Sequence, residues 1–543
     1  MTFLPIIERE LRVRARSRGT YWTRFAVALV GMLICLPQFA VPGSFASSAS
    51  IGKGVFNWIA GTGFVLSCCA CLLTADAVGS EQREGTLGLL FLTRVSRFDV
   101  LLGKLGSIGL TSLCVLVALL PMLMIPVLAG GVTALEALCK SLALLNALFF
   151  ALAVGLFAST LRRERAQATG WALALVTLAV VVPLLAGSSS PPSAVVPWLS
   201  PLYAVMWKPG QSLGDWLASL AIVQAMAWLA LLCAHVELNC SLREASAKDA
   251  SPAPYRELDT LVRRRWQPLN AGADTIEWLV CRQRGVKAAI WTATGIGVCY
   301  QLVGTRLFRS AGGAGWVGYS AAMLPSLAVN VFDGALLAWA ASRFFIEARQ
   351  TGELELLLTT PLGAEAIVSG QWKALKRLVQ WPIVMILAAL VLRMFWNRAL
   401  WSTRSGSSWT VYLACSLLVG AVYVLLGMGA LCWTGLWFGL KARQQAGAIL
   451  WTIGLTRGAP FLLYTLSACV FGVLASLSRM RNASWVQFYW LFAQVPSLLL
   501  FLWLIRRAKR RLAERLGGAE PANLGLWQPA LAAIRKARHW TPS

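Results

Sequence analysis

Charge is scarce in this sequence. Asp, Glu, Lys and Arg together make 13% of 543 residues, whereas hydrophobic residues make 57% and Trp occurs 25 times. That balance excludes an ordinary soluble globular protein. Acids are scarcer than bases, 23 against 49, which leaves a formal net charge of +26. The excess does not describe a nucleic-acid surface, because the Lys and Arg residues gather in short segments between apolar runs, where the positive-inside rule wants them. A phosphate-binding loop is missing too: Gly52-Lys53 and Gly103-Lys104 lack both the upstream Gly and the following hydroxyl residue of G-x-x-x-x-G-K-[ST]. No H-E-x-x-H is present, so a membrane-embedded metallohydrolase has no ligand set. The 13 Cys lie almost entirely inside apolar runs and form no disulfide framework for an exposed domain. Cys68, Cys69 and Cys71 are of a type that binds soft metals, but no His or Met constellation accompanies them.

What is present is a series of apolar runs of spanning length. Phe25–Val41, Val55–Val78, Leu101–Ala129, Ala134–Thr160, Gln167–Gly187 and Leu213–His235 form a first set. Val286–Gly304, Val317–Phe345, Leu378–Arg393, Val411–Phe438, Gln445–Ala475 and Val486–Ile505 form a second. The expected fold is an all-α polytopic bundle of roughly twelve spans. Ahead of the first span, Leu4, Ile7 and Leu11 share one helical face and Arg9, Arg12 and Arg16 another. This predicts an interfacial helix lying on the membrane surface, in a stretch too Arg-rich for a signal n-region. Pro42–Gly54 is expected as a polar loop, and Ser188–Asp215, rich in Pro and aromatics, as an external re-entrant or interfacial element. Glu237–Asp274 is the long polar linker.

The two sets are related. Gly85, Leu87, Leu89, Leu90, Thr93 and Gly103 align without a gap on Gly352, Leu354, Leu356, Leu357, Thr360 and Gly370. Arg165-Ala166-Gln167-Ala168 meets Arg443-Gln444-Gln445-Ala446, and Glu8–Arg12 meets Trp278–Arg282 more loosely. The chain therefore reads as two six-span units over residues 1–236 and 275–507, joined by the linker 237–274 and followed by a tail, 508–543. An even number of spans in each unit makes the repeat parallel, with its pseudo-axis along the membrane normal. The basic segment Arg506–Arg515 places both termini in the cytoplasm.

The segment Ser80–Leu105 is the charged interruption between two spans, and its copy is Glu347–Lys373. Its pattern, E-x-R-E-G-T-L-x-x-L-x-x-T followed by Gly-Lys, resembles the segment between the second and third spans of ABC-2 type permeases, where a Pro follows the Thr; these are the membrane subunits of ATP-binding-cassette exporters. The first copy carries it in Glu81, Arg83, Glu84, Gly85, Thr86, Leu87, Leu90, Thr93, Gly103 and Lys104; the second in Gly352, Leu354, Glu355, Leu357, Thr360, Pro361 and Gly370. Arg94 stands where the family prefers Pro, and Glu353 where it prefers Thr. The resemblance implies that these two segments, Glu353 included, couple to an ATPase.

It further implies a prokaryotic inner-membrane protein that is not itself an enzyme and binds no cofactor. ATP and Mg would belong to a separate ABC-type ATPase subunit, present in two copies. Asp333, an acid inside a span, is a candidate for the translocation path. It also keeps open an ion-coupled secondary transporter as the alternative. Trp396, Trp401 and Trp409 with Arg393, Arg398 and Arg404 read as an interfacial belt meeting lipid.

Overall fold

The computed structural model describes residues 48–83, 96–128, 130–161, 165–186, 196–207, 210, 212–249, 316–350, 352–359, 364–398, 407–442, 444–464 and 491–517, with short pieces at 7–9, 11–12, 24–25, 27–29, 31–32, 290–292, 294–295, 297–298, 466–467 and 470. Every regular element among them is helical. Lipid offers no partner for a backbone N–H or C=O, so a spanning segment must satisfy its hydrogen bonds internally, and only the helix does so with one chain segment.

The first half runs α1 (Ser48–Cys69), α2 (Cys71–Thr74), α3 (Ala77–Arg83), α4 (Arg97–Val117), α5 (Leu120–Leu128), α6 (Ala134–Leu161) and α7 (Arg165–Ala186). A 3-10 turn (Val196–Leu199) and α8 (Pro201–Val205) follow, and α9 (Leu213–Asp249) ends it. In the second half come α10 (Trp316–Gln350), α11 (Glu353–Thr359), α12 (Ala364–Arg398), α13 (Ser407–Lys441), α14 (Gln445–Ile453) and α15 (Val495–Gly517), with a π-helical turn, Gly454–Gly458, directly after α14. Seven helices among the described residues are long and apolar enough to cross a membrane. The chain is an integral membrane protein.

Helix α6 is the post of the first half, packed against α1, α2, α3, α4, α7 and α9. Helix α13 holds the same place in the second, packed against α10, α12, α14 and α15. Between the halves, α10 packs on α1 and α7, and α7 meets α14. Lipid removes the hydrophobic drive between helices, so close van der Waals packing at small residues must hold them together. Gly155 of α6 shows it: an added Cβ would collide with the Cys71 carbonyl and the Thr74 hydroxyl. On α13, a Cβ at Gly435 would stand 2.7 Å from the Cβ of Ala341 and 3.7 Å from the Ala338 carbonyl. The register that sets Gly85 on Gly352 sets Cys71 and Thr74 on Ala338 and Ala341, so the two posts touch equivalent residues.

Some expectations shift. Pro42–Gly54 is not a loop throughout: α1 starts at Ser48, because Gly52 lets the helix approach the turn at Gly131, whose Cα and N lie 3.4 Å from where its Cβ would be. The turn itself has Gly130 at φ 78°, a left-handed conformation that favours Gly. The apolar run Val55–Val78 is helical but broken at Ala70 and again at Ala75-Asp76. Helix α9 continues through the 236/237 boundary to Asp249, so the expected linker opens as helix. Ser188–Asp215 contributes a packed element: Ser200, Leu202 and Val205 are fully buried, and the Ser200 hydroxyl donates to the Val180 carbonyl at 3.0 Å. Most of the first span, the belt side chains and most of Val286–Gly304 lie outside the described residues or side chains.

Candidate functional site

The long helix entering the Ser80–Leu105 segment is jointed, and the joints are held by α6. The Thr74 hydroxyl donates to the Leu152 carbonyl at 3.0 Å. Beyond the break, the Val78 and Gly79 amides, two of the orphan donors at the start of α3, both donate to the Ser159 hydroxyl at 3.0 Å. A side-chain oxygen borrowed from another helix thus caps α3. Ser96 opens α4 with a reciprocal capping box on Asp99.

Asp76 sits in the second break and gathers two cations. Arg83, at the end of α3, donates to one carboxylate oxygen, and Arg165, at the start of α7, donates to the other. Three elements therefore meet at one anion. Glu81 accepts from Lys104 at 2.9 Å, with the Lys104 side chain 10% exposed. This pair ties the end of α3 to the start of α4, since the first acid of the pattern grips its last cation. Of the expected coupling residues, Glu81 and Arg83 are thereby committed to contacts within the chain, whereas Glu84, Gly85, Thr86, Leu87, Leu90 and Thr93 lie outside the described residues.

In the second copy Gly352 adopts φ 77°, the left-handed turn between α10 and α11 that favours Gly, and Glu353 is exposed as the first residue of α11. Leu354 is buried and Leu357 packs beside it, against α10, α12, α13 and α15. Arg349 donates to the carbonyls of Leu440 and Ala442, which end α13. Thr360 and Pro361 lie outside the described residues. Where the first copy has Asp76, the register puts Arg343, which pairs with Glu347 at 2.6 Å within its own helix and lies over the Trp339 ring at 5.4 Å. Where the first has Glu81 and Lys104, the second has Ala348 and Gln371.

Beside the first-copy network lies a cavity of about 1000 Å³. Asp76, Glu81, Lys104 and Arg165 stand at its polar end; Leu66, Leu72, Leu116 and Leu148 line its apolar part; and Gln444, Ala446 and Leu450 of the second half close one side.

Asp333 is buried in α10, and Arg457, in the π turn, lies against the next residue, Gly334, with its Nε 3.3 Å from the built Cβ position. Arg457 is the cation acting on Asp333, yet the two are not in hydrogen-bond contact, and Asp333 Oδ1 and Arg457 Nε are buried without hydrogen-bond partners among the described residues. Sequence reading found the acid but not its cation; a π turn, frequent at functional sites, leaves no hydropathy signal. It also passed over Lys140, buried in α6, whose Nζ reaches Asn57 Oδ1 at 2.7 Å and Glu136 Oε1 at 3.1 Å. The Glu136/Lys140 spacing of a helical ion pair was the available signal.

Gly210-Gln211-Ser212-Leu213-Gly214 spells G-x-S-x-G, a match that sequence reading missed, but the Ser212 hydroxyl accepts the Asp215 amide at 3.2 Å, as an N-cap of α9 does, and no strand occurs among the described residues. Cys68, Cys69 and Cys71 are buried free thiols, and no group of three metal-ligating side chains occurs among the described residues.

Residues 4–230 match the family model of the ABC-2 family transporter protein. This match covers the first half of the chain and supports an ABC transporter permease; such a domain is a membrane component and not itself catalytic. No curated protein matches the chain, and no solved structure does.

Proposed function

We propose that this protein is the membrane-spanning permease of an ATP-binding-cassette exporter in which two parallel six-span units are fused in one chain. ATP and Mg are bound by a separate ATPase subunit, present in two copies, one against each of the segments headed by Gly85 and Gly352. The observation that carries the class is the family match over residues 4–230. The fusion is supported by the equivalent placement of α6 and α13, each using a Gly to approach the residues that the register pairs, Cys71/Thr74 and Ala338/Ala341.

Mechanically, closure of the two ATPase subunits would push on the segments 84–95 and 352–361, and differential contact with the ATPase states supplies the bias. In the first unit that push reaches α6 through Ser159 and α7 through the Asp76–Arg165 pair. In the second it reaches α13 through Arg349. Both termini lie in the cytoplasm on this reading, in a prokaryotic inner membrane, and Asp333 with Arg457 belongs to the translocation path.

The test is purification of the tagged chain from its native membrane. A soluble ATPase should accompany it at two copies per chain. A Gly85/Gly352 double substitution should abolish both association and transport; a complex and transport left intact would overturn the coupling role. The ion-coupled alternative is favoured only by the buried charge at Asp333, and transport persisting after ATP depletion with a proton gradient maintained would establish it.

A further inference from the structure

At the positions of the second half that the register pairs with the lining of the cavity beside Asp76, bulkier or more apolar side chains stand. The register of the repeat pairs Leu72 with Trp339. The Trp339 indole lies flat against α7 at Gly170, where a Cβ would stand 2.6 Å from its Cζ2. On the other side Leu72 borders the cavity, whose lining also includes Ala446 and Leu450 of α14. The α4 wall differs in the same sense. Ser107, Thr111 and Ser112 line the cavity, whereas their paired positions, Ala374, Leu378 and Val379, are apolar and packed into the core.

The lining states the chemistry of an occupant. Leu73 and Leu450, 44% and 39% exposed, flank the space, and exposed apolar side chains on spans face lipid. The cleft is therefore entered sideways. The charged side chains that line the cavity balance, Asp76 and Glu81 against Arg165 and Lys104, with Arg83 outside the lining, so the lining calls for no net charge on a ligand. The hydroxyls of Ser107, Thr111 and Ser112 donate to the carbonyls of Lys104, Ser107 and Ile108 on their own helix and present lone pairs to the cavity. The Ser67 hydroxyl, contributed by α1 and 2% exposed as a residue, has no hydrogen-bond partner among the described residues.

We propose that this cleft is a one-sided lateral site for an amphiphile with a single apolar tail and an uncharged, hydroxylated head group, and that Trp339 closes its counterpart. The tail lies along Leu66, Leu116 and Leu450, and the head donates hydrogen bonds to the hydroxyl row. The first part rests on the cavity alone; the one-sidedness rests on the two-unit reading above.

The experiment uses the full chain in lipid nanodiscs and a diazirine-bearing dodecyl glucoside, with the labelled peptides mapped by mass spectrometry. Label is expected on 66–77, 107–116 and 444–450. Leu72→Trp, which fills the space, and Leu450→Trp, which narrows the mouth from an exposed position without disturbing the core, should each lower it about tenfold, the equivalent of about 1.4 kcal/mol of binding. Undiminished labelling in well-folded, monodisperse Leu450→Trp and Leu72→Trp proteins would overturn the site. A dodecyl phosphate bearing the same diazirine should label less; equal or stronger labelling would overturn the head-group assignment. Trp339→Leu should open a second labelled patch on 333–343 and 166–176. If it opens none while Leu72→Trp still blocks the first, the cleft stands and the equivalence of the two units falls.

Discussion

The joint above the first coupling segment and its counterpart in the second half solve one mechanical problem in different ways. In the first, the helix is broken at Ala70 and again at Ala75-Asp76, and polar contacts from α4, α6 and α7 hold the pieces together. In the second, α10 is unbroken from Trp316 to Gln350, its charged pair Arg343–Glu347 lies within the one helix, and apolar packing around Phe344, Phe345, Leu354 and Leu440 secures the segment, with hydrogen bonds from Arg349 to the end of α13 and from Gln445 to α10 as the polar contacts across it. A polar joint can rearrange by exchanging partners; an apolar one moves as a block. The two units are thus unequal, and the difference lies in what crosses between helices rather than in the number of spans.

That contrast can be broken at several points. The largest effect is expected at the posts. Gly155→Val would drive a side chain into the backbone at Cys71, where Cα is only 3.0 Å from the built Cβ, and overpacking of that kind costs about 3 kcal/mol or more. Gly435→Val meets the Ala341 side chain instead and should cost about 1–2 kcal/mol. Thermal unfolding of the detergent-solubilised proteins, followed by size-exclusion monodispersity, measures both; equal losses would remove the distinction between a backbone and a side-chain contact.

Next comes the ionic joint. Asp76→Asn removes the charge that Arg83 and Arg165 share, and charge-assisted hydrogen bonds of this burial predict a loss of about 2 kcal/mol. Arg343→Met, which breaks a pair inside one helix while leaving Glu347 partly in contact with solvent, should cost about 1 kcal/mol. Stability loss in the reverse order would mean that the second unit, not the first, is held by its charges.

Ser159→Ala leaves the Val78 and Gly79 amides without their acceptor and should cost about 1–2 kcal/mol, with faster amide exchange confined to α3. Exchange that stays slow there would show that α3 is held by packing alone. The smallest difference is functional. Charge reversal at Arg83 and Glu84 should lower transport more than reversal at Arg349 and Glu353, and equal losses would refute the ranking of the two segments.

Much of this was legible in the sequence, and the reasons are specific. The apolar runs Leu101–Ala129 and Ala134–Thr160 are helices on either side of a turn at Gly130-Gly131, because a hydrogen-bonded helix and a glycine turn are local solutions. By sequence, Asp76 at the end of its apolar run is an interfacial acid, and Arg165 in the charged cluster Arg162–Arg165 is a marker of membrane sidedness. Each reading was reasonable alone, but nothing in either segment says that they meet, since they are joined only by the way α7 packs on α2. Lys104 and Glu81 both belonged to the recognised pattern, yet the pattern gave them a partner subunit, whereas the fold gives them each other.

The sequence by itself determined that this is a helical membrane protein, where its apolar runs lie, and that two segments of it share a pattern. These follow from transfer free energy and residue identity, which are properties of a segment and survive without knowing its neighbours. Only the tertiary structure decided that Asp76 joins three elements, that Arg457 faces Asp333 from a π turn, and that Trp339 fills against Gly170 the place that stays open beside Leu72. The reason is that lipid pays nothing for bringing two apolar helices together. Their contact is chosen by shape and by a few polar groups at exact heights, and both are properties of a pair of helices that no single run of residues contains.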